Sequence, residues 1–134
     1  MRRLLLAAAA AALVPAVVVP LHSSLAQGAN RAQVETITEI AQCMAQGLPD
    51  DWVTAYLIVD LAKPGDSTGK VRYLVARKST EASPEPFTPC DTDRPPVALI
   101  GLRMLEPAER RGWTSARLIL ERDGNFRLNY DFPK

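Results

Sequence analysis

The chain of 134 residues has little of the side-chain chemistry that enzymes and metal sites use. It contains one histidine, His22, and two cysteines, with no Cys-x-x-C pair. His22 lies in a segment that we expect to be removed, so histidine-based catalysis and a His–Cys zinc site both lack their residues. Glycine-rich phosphate-binding motifs are also missing. The sequence therefore predicts a protein that is not an enzyme and that holds neither a cofactor nor a metal ion.

The chain also lacks an excess of charge of either sign. Its formal net charge is +1, and two of its basic residues, Arg2 and Arg3, stand at the N-terminus. Nucleic-acid binding requires a basic face that complements the phosphates, so a nucleic-acid partner is not expected. Apolar residues make up 47% and charged residues 23%, which is typical of a folded domain, and the length suits one domain.

The N-terminal segment has the three parts of a secretory signal. A basic start is followed by an apolar run from Leu4 to Val19 that only Pro15 interrupts, and the small residues Ser24 and Ala26 follow. We place cleavage after Ala26, which divides the chain into a signal peptide, 1–26, and one domain, 27–134. A retained membrane anchor is the alternative. Cleavage predicts a periplasmic or secreted protein without a membrane segment.

Cys43 and Cys90 are the only cysteines, and both lie in the predicted mature domain. In an oxidising compartment, an even pair indicates one disulfide. Such a bond would close a long loop and stabilise the fold by roughly 4 kcal/mol in the chain-entropy model. The alternative is a pair of buried or free thiols.

The first half of the mature sequence predicts a helix and a hairpin. Asn30 would begin the helix, with Gln33 at the capping-box position, and Gly47 and Pro49 would end it. Its apolar stripe is formed by Val34, Ile37, Ala41, Met44 and Leu48. The segments 52–61 and 70–78 are rich in β-branched and aromatic residues, and a turn composition separates them.

Proline-rich sequence begins the second half. Residues 79–96 contain five prolines and are predicted to form an extended loop, because proline cannot donate to a strand ladder. Cys90 would tie this loop to the first helix. Val97 to Leu105 is best interpreted as a helix that Pro95 and Pro96 begin, although a strand remains an alternative.

The segments 113–121 and 126–132 predict a last hairpin. A three-residue loop, 122–124, pairs Leu118 with Leu128 and Leu120 with Phe126, which keeps the apolar residues on one face. This register requires a left-handed Gly124. The complete order predicts an α+β fold, in which about four antiparallel strands form two hairpins and both helices pack on one face.

Five residues are candidates for partner binding. Trp52, Tyr56, Trp113 and Ile119 fall on the strand face opposite the main apolar rows, and Arg117 lies beside them. Aromatic residues and arginine are the residue types that dominate binding energy at interfaces. Coverage of the same face by the proline-rich loop is the alternative interpretation.

Two stretches resemble a known family. The segment Leu48 to Trp52 reads Leu-Pro-Asp-Asp-Trp and leads into a strand. The segment Gly112 to Leu118 contains Trp-Thr, and Asp-Gly-Asn-Phe and Tyr-Asp-Phe follow it. In order and spacing, these motifs resemble the YezG-like immunity (antitoxin) family over most of the mature chain.

The resemblance implies a protein that neutralises a cognate toxin by binding it, and it carries no catalytic residues over to this chain. Together with the signal peptide, it predicts an immunity protein that meets its toxin in the periplasm. A periplasmic accessory or structural domain that binds an envelope component or a small ligand is the alternative. The oligomeric state stays open, because an exposed strand edge can pair with itself or with a toxin.

Overall fold

A computed structural model describes residues 21–78 and 83–134, with side chains from Arg31 onward. The chain divides into two compact units, Met1–Ala32 and Gln33–Lys134, and all strands of the described residues belong to the second. The predicted signal peptide lies outside the described residues except for residues 21–26. Residues 79–82 of the predicted loop also lie outside them.

The first helix, α1, spans Leu21–Ala45. It begins at Leu21 and not at the predicted Asn30. From Gln33 onward, its buried residues are Ile37, Ile40, Cys43 and Met44. Val34, which the apolar stripe included, is exposed. The helix ends where predicted, and Gly47 donates its N–H to the Met44 carbonyl at 3.0 Å.

The α+β class is confirmed, with one antiparallel sheet among the described residues. It has five strands and not four. The strands are β1 (Trp52–Asp60), β2 (Lys70–Arg77), β3 (Glu85–Pro86), β4 (Ser115–Glu121) and β5 (Phe126–Asp131), in the order β3-β2-β1-β4-β5. The two predicted hairpins therefore lie side by side, with β1 and β4 paired at the centre.

The register of the last hairpin is confirmed. Leu118 pairs with Leu128, and Leu120 pairs with Phe126. Glu121 donates to the Asn125 carbonyl at 2.9 Å and thereby closes the three-residue loop. Gly124 has φ +97°, a left-handed conformation that strains residues with a Cβ atom.

The fifth strand, β3, lies inside the predicted proline-rich loop. It has two residues and pairs with β2 at the edge of the sheet. A proline is tolerated at an edge, where its missing N–H removes no ladder bond. The proline-rich composition predicted an extended loop for residues 79–96. The structure adds a short edge strand within this segment.

The second helix, α2 (Arg94–Gly101), confirms the helical interpretation of the apolar run, with proline in its first turn. The Asp91 carboxylate accepts the N–H groups of Asp93 and Arg94 at 2.8 and 3.1 Å. These hydrogen bonds lower the pKa of Asp91. Two 3₁₀ turns, Leu102–Leu105 and Ala108–Arg110, follow and lead to β4.

Within the described residues, no helix has the length and apolar character needed to span a membrane.

The core lies on one side of the sheet. The strands contribute alternate residues such as Leu57 and Leu118, both fully buried. The helical elements contribute Ile37, Ile40, Met44, Leu99, Ile100 and Leu102. Both helices therefore cover the same face, which we call the inner face.

The predicted disulfide between Cys43 and Cys90 is confirmed. Cys90 also donates its N–H to the Cys43 carbonyl at 2.9 Å, so the loop follows the end of α1 closely. At Gly47 the approach is so close that a Cβ atom would overlap the Thr88 carbonyl. The loop before α2 is therefore held to α1 by a covalent bond, a hydrogen bond and a glycine contact.

Replacing both cysteines with serine should lower the free energy of unfolding by about 4 kcal/mol, because the bond joins residues 47 positions apart. Urea denaturation of the oxidised proteins measures this change. Reduction should destabilise the wild-type protein by a similar amount and leave the double variant unchanged. Equal stability of the oxidised wild type and the variant would contradict this role.

Gly47→Ala should destabilise the protein by about 1–3 kcal/mol, because the new methyl group displaces the Thr88 segment. Gly101→Ala in α2 is the matched control, since a Cβ atom there meets nothing within 4 Å. That control should be neutral or stabilising by about 0.5–1 kcal/mol. Thermal unfolding of both variants separates the two positions, and equal effects would argue against a close contact at Gly47.

Candidate binding surface

The side of the sheet opposite the helices carries most of the predicted binding residues. Side chains alternate between faces along a strand, so Tyr56 and Ile58 point away from the core that holds Leu57. Strand pairing places Leu74 and Ile119 on either side of Tyr56. We call this side the outer face and define it by Tyr56, Ile58, Leu74, Arg117, Ile119 and Arg127.

The centre of the outer face is apolar. Ile119 and Ile58 are only 7% and 6% exposed, whereas Tyr56 and Leu74 are half-buried. Among the described residues, the helical part of the core packs on the inner face and contributes nothing to this centre. The two isoleucines are therefore buried, and Tyr56 and Leu74 present accessible apolar surface beside them.

Two polar clusters border this apolar centre. At one end, Asp60 accepts a hydrogen bond from the Ser115 hydroxyl at 2.8 Å and an ion pair from Arg72 at 3.5 Å. At the other end, the Glu121 carboxylate accepts a hydrogen bond from the Thr54 hydroxyl at 2.7 Å and lies 3.8 Å from the Arg127 guanidinium. Such exposed ion pairs contribute little stability. They leave both acidic residues of the border already partnered.

Arg117 differs from the other arginines of the outer face. Strand pairing places it beside Ile58 of β1 and Asn129 of β5. Among the residues that the structure describes, no carboxylate lies within ion-pair distance of its exposed guanidinium. Its positive charge is available to an acceptor from outside the chain.

The structure corrects the predicted position of Trp52. A bulge between Trp52 and Thr54 shifts the pairing, so that Trp52 lies opposite Arg77. The extra residue reverses the alternation, and Trp52 packs against the core on the inner side. The Arg122 guanidinium lies 5.7 Å from the centre of its ring. Trp52 therefore does not share a face with Tyr56.

The structure also corrects the predicted position of Trp113. It precedes β4, is 0% exposed and belongs to the core. Its ring stacks on Tyr130 at 5.2 Å, and Arg103 lies 5.9 Å from its ring centre. Strand alternation does not apply to a residue outside the strand, which is why the sequence pattern misplaced it. Trp113 stabilises the core and is not accessible to a partner as the fold stands.

Three of the five predicted binding residues are therefore brought together, namely Tyr56, Arg117 and Ile119. Leu74 completes their apolar row, although it was not among the predicted binding residues. In the sequence, only its alternation with Tyr73 and Val75, which are buried on the inner side, indicated that Leu74 lies on the outer face. The strand register shows that Leu74 pairs with Tyr56.

A second feature is a cleft between β2, the turn before it and the start of α2. It has a volume of about 490 Å³ and is lined mainly by apolar side chains, including Val71, Pro96 and Val97. Val97 is 65% exposed. The polar groups at the cleft are Thr92, Asp93 and hydroxyls of the turn. Its size falls within the range of small-molecule sites.

Two tyrosines of the inner face differ in their hydrogen bonds. Tyr73, at the cleft, donates to the Thr92 carbonyl at 2.9 Å, whereas the buried hydroxyl of half-buried Tyr130 has no partner among the described residues. Burial is the main cause that raises the pKa of each to about 12. Nearby Asp91 and Asp93 add to the effect at Tyr73, and Glu106 adds to it at Tyr130.

No group of three or more histidine, cysteine, aspartate or glutamate side chains suited to a metal ion occurs among the described residues. The outer face presents apolar area, one phenol and the exposed Arg117 guanidinium, and the cleft presents an apolar wall with few polar groups.

Tyr73→Phe should lower the free energy of unfolding by about 1 kcal/mol at neutral pH, because the Thr92 carbonyl loses its donor. Tyr130→Phe should be neutral or stabilising, since its hydroxyl is buried and none of the described residues bonds to it. Both pKa values are raised in the folded protein, so their contribution is complete below pH 10 and is lost between about pH 10 and 12.

Denaturant unfolding at neutral and alkaline pH measures both effects. Each Phe variant should lose less stability than the wild type across this alkaline range. A larger cost for Tyr130→Phe than for Tyr73→Phe at neutral pH would contradict the assignment of the hydrogen bonds.

Comparisons with known proteins do not add a relative to this geometry. Neither a protein-family model nor a curated protein matches the sequence.

Proposed function

We propose that the chain is an exported, non-catalytic binding protein that uses its outer face to bind a partner protein. We further propose that this partner is a toxin, which the protein neutralises by direct contact in the periplasm. The single observation that carries the proposal is the apolar row beside Arg117, on the side of the sheet that the described helices leave open.

The outer face has the composition of a protein interface. Tyr56 supplies an amphipathic ring, and half-buried Leu74 supplies apolar area beside the buried isoleucines. Tyrosine and arginine are enriched among the residues that dominate interface energies. Because Arg117 has no ion-pair partner among the described residues, a partner's carboxylate would gain a charge-assisted hydrogen bond without breaking an existing one.

The disulfide supports the proposal that the protein is exported to an oxidising compartment. Bonds of this kind persist in oxidising compartments and are rare in the cytosol. Cys43–Cys90 holds the loop that precedes α2, so the fold is more stable in a compartment where the disulfide forms. Together with the predicted signal peptide, this favours a partner that is met in the periplasm or outside the cell.

The toxin as partner is supported by the resemblance of the Leu48–Trp52 and Gly112–Leu118 motifs to immunity proteins. In the structure, β1 begins at Trp52, the last residue of the first motif, and β4 begins at Ser115, within the second. These two strands carry Tyr56, Arg117 and Ile119. The motifs that suggested immunity therefore lie at the start of the two strands that carry the residues proposed to bind.

A second candidate function is favoured by the cleft beside α2. Its volume of about 490 Å³ and its apolar lining suit a small amphipathic ligand, with Asp93 and Thr92 available to a donor group. Under this alternative, the protein is an accessory domain of the envelope that binds such a ligand. Its binding residues would be separate from those of the outer face.

Deleting the gene should reduce survival in competition with a strain that delivers the toxin encoded beside it. Wild-type protein should restore survival, whereas Tyr56→Ala combined with Arg117→Glu should not, because the change removes the ring and reverses the charge. With the purified toxin, the same variant should bind at least about tenfold more weakly. Calorimetric titration measures this change.

Val97→Ser is the matched control for the outer-face variant, because Val97 is exposed and lies at the cleft. It should protect as well as the wild type. A version without residues 1–26 should remain in the cytoplasm and fail to protect. Unchanged survival of the deletion strain would count against immunity, and loss of function by cleft variants alone would favour the ligand-binding alternative.

A further inference from the structure

The two edges of the sheet are built differently. At the β3 edge, Phe87 donates its N–H to the Tyr73 carbonyl at 3.2 Å, so Phe87 and Glu85 direct their backbone groups toward β2. Pro84 and Pro86 consequently occupy the outward positions. Neither has an N–H, so this edge offers no donors there to a further strand.

The β5 edge is open. Glu121 donates to the Asn125 carbonyl, and alternate residues of β5 from Asn125 onward therefore face β4. The residues between them, Phe126, Leu128 and Tyr130, direct their N–H and C=O groups away from the sheet. In the part of the chain that the structure describes, these groups have no hydrogen-bond partner.

We propose that β5 pairs antiparallel with β5 of a second copy of this chain, which joins two sheets edge to edge. The pairing is centred on Asn129, so that Leu128 lies opposite Tyr130 of the second copy. Both residues direct their backbone groups outward, and they can exchange the two hydrogen bonds of an antiparallel pair. A two-fold axis relates the copies, and every contact therefore occurs twice.

Charge complementarity selects this register. It places Arg127 opposite Asp131 of the second copy on the outer side of the sheet. The Asp131 carboxylate has no ion-pair partner among the described residues, and Arg127 has only a long contact of 3.8 Å to Glu121. Centring the pair on Leu128 instead would place Arg127 opposite Asn129 and lose both new ion pairs.

The inner side of the same register is apolar. Leu128 meets the Tyr130 ring of the second copy, and Phe126 meets Phe132. These residues are half-buried within one copy, except for Phe132, which is 38% exposed. Pairing would therefore extend the apolar layer of both inner faces. Pro133 does not interrupt the new ladder, because its position in the alternation faces β4 and not the second copy.

Sedimentation equilibrium on protein purified from the full-length gene tests the pairing. We expect a concentration-dependent dimer. Arg127→Asp and Asp131→Arg should each raise its dissociation constant by about tenfold, because each creates two like-charge pairs across the strands. The double variant exchanges the partners and should return the constant to about the wild-type value.

A second pair of variants tests the backbone bonds. Leu128→Pro removes an outward N–H at an edge position and should abolish the dimer, whereas Leu128→Ala removes the same side chain and should retain it. Circular dichroism establishes that each variant is folded. Tyr56→Ala lies on β1, two strands from the β5 edge, and should leave the dimer unchanged.

A monomer at all concentrations would overturn the proposal, as would a dimer that neither charge variant weakens. Dissociation by Tyr56→Ala without an effect of Arg127→Asp would also overturn it and would indicate contact through the outer face. The edge pairing uses Leu128, Tyr130 and Asp131 of β5, whereas the proposed toxin contacts are Tyr56 of β1 and Arg117 of β4. Failure of this pairing would therefore leave the proposed binding of a toxin intact.

Discussion

The structure depends on burial of one face of the sheet and not of the other. Rows of apolar residues from the four longer strands meet both helices on the inner face, with Leu57 and Leu118 at the centre. Removal of this apolar area from water is the main driving force of the fold. Because the described helices lie on the same side, the outer face keeps its side chains for other contacts. The one-sided arrangement is therefore the origin of the candidate binding surface.

Placement of α2 on that face requires the loop before it to be anchored. The Cys43–Cys90 bond and the contact at Gly47 hold the loop against the end of α1, and the Asp91 carboxylate then caps the start of α2. The short strand β3 adds an edge pairing to the same segment. A proline-rich stretch with few ladder donors is thereby fixed at both ends. The cleft beside α2 is a consequence of this arrangement.

The outer face and the β5 edge offer two separate modes of contact. The outer face presents side chains, with Tyr56 and Arg117 as its accessible groups, whereas the β5 edge presents backbone donors and acceptors. Recognition by side chains is specific, and recognition by a strand edge depends on register and on the charges that flank it. Edge-to-edge pairing of two copies would leave both outer faces on the same side of the joined sheet. Two molecules of the proposed partner would then bind one dimer side by side.

The sequence by itself determined the elements whose residues carry a local or periodic signal. These include the two strands of each hairpin, the register around Gly124 and the helix begun by Pro95 and Pro96. They also include the disulfide, since two cysteines can pair in only one way. In each case, the pattern and the tertiary packing favour the same outcome. The face on which Tyr56, Arg117 and Ile119 lie was also readable, since strand alternation continues through all three.

Only the tertiary structure decided the positions of Trp52 and Trp113. A bulge moved Trp52 to the inner side, and the late start of β4 left Trp113 free to enter the core. Neither a bulge nor the first residue of a strand has a reliable signal in the local sequence, because pairing with the neighbouring strand and packing in the core decide both. The order of the hairpins and the open β5 edge were decided in the same way, since pairing between distant strands depends on the complete core and not on either segment alone.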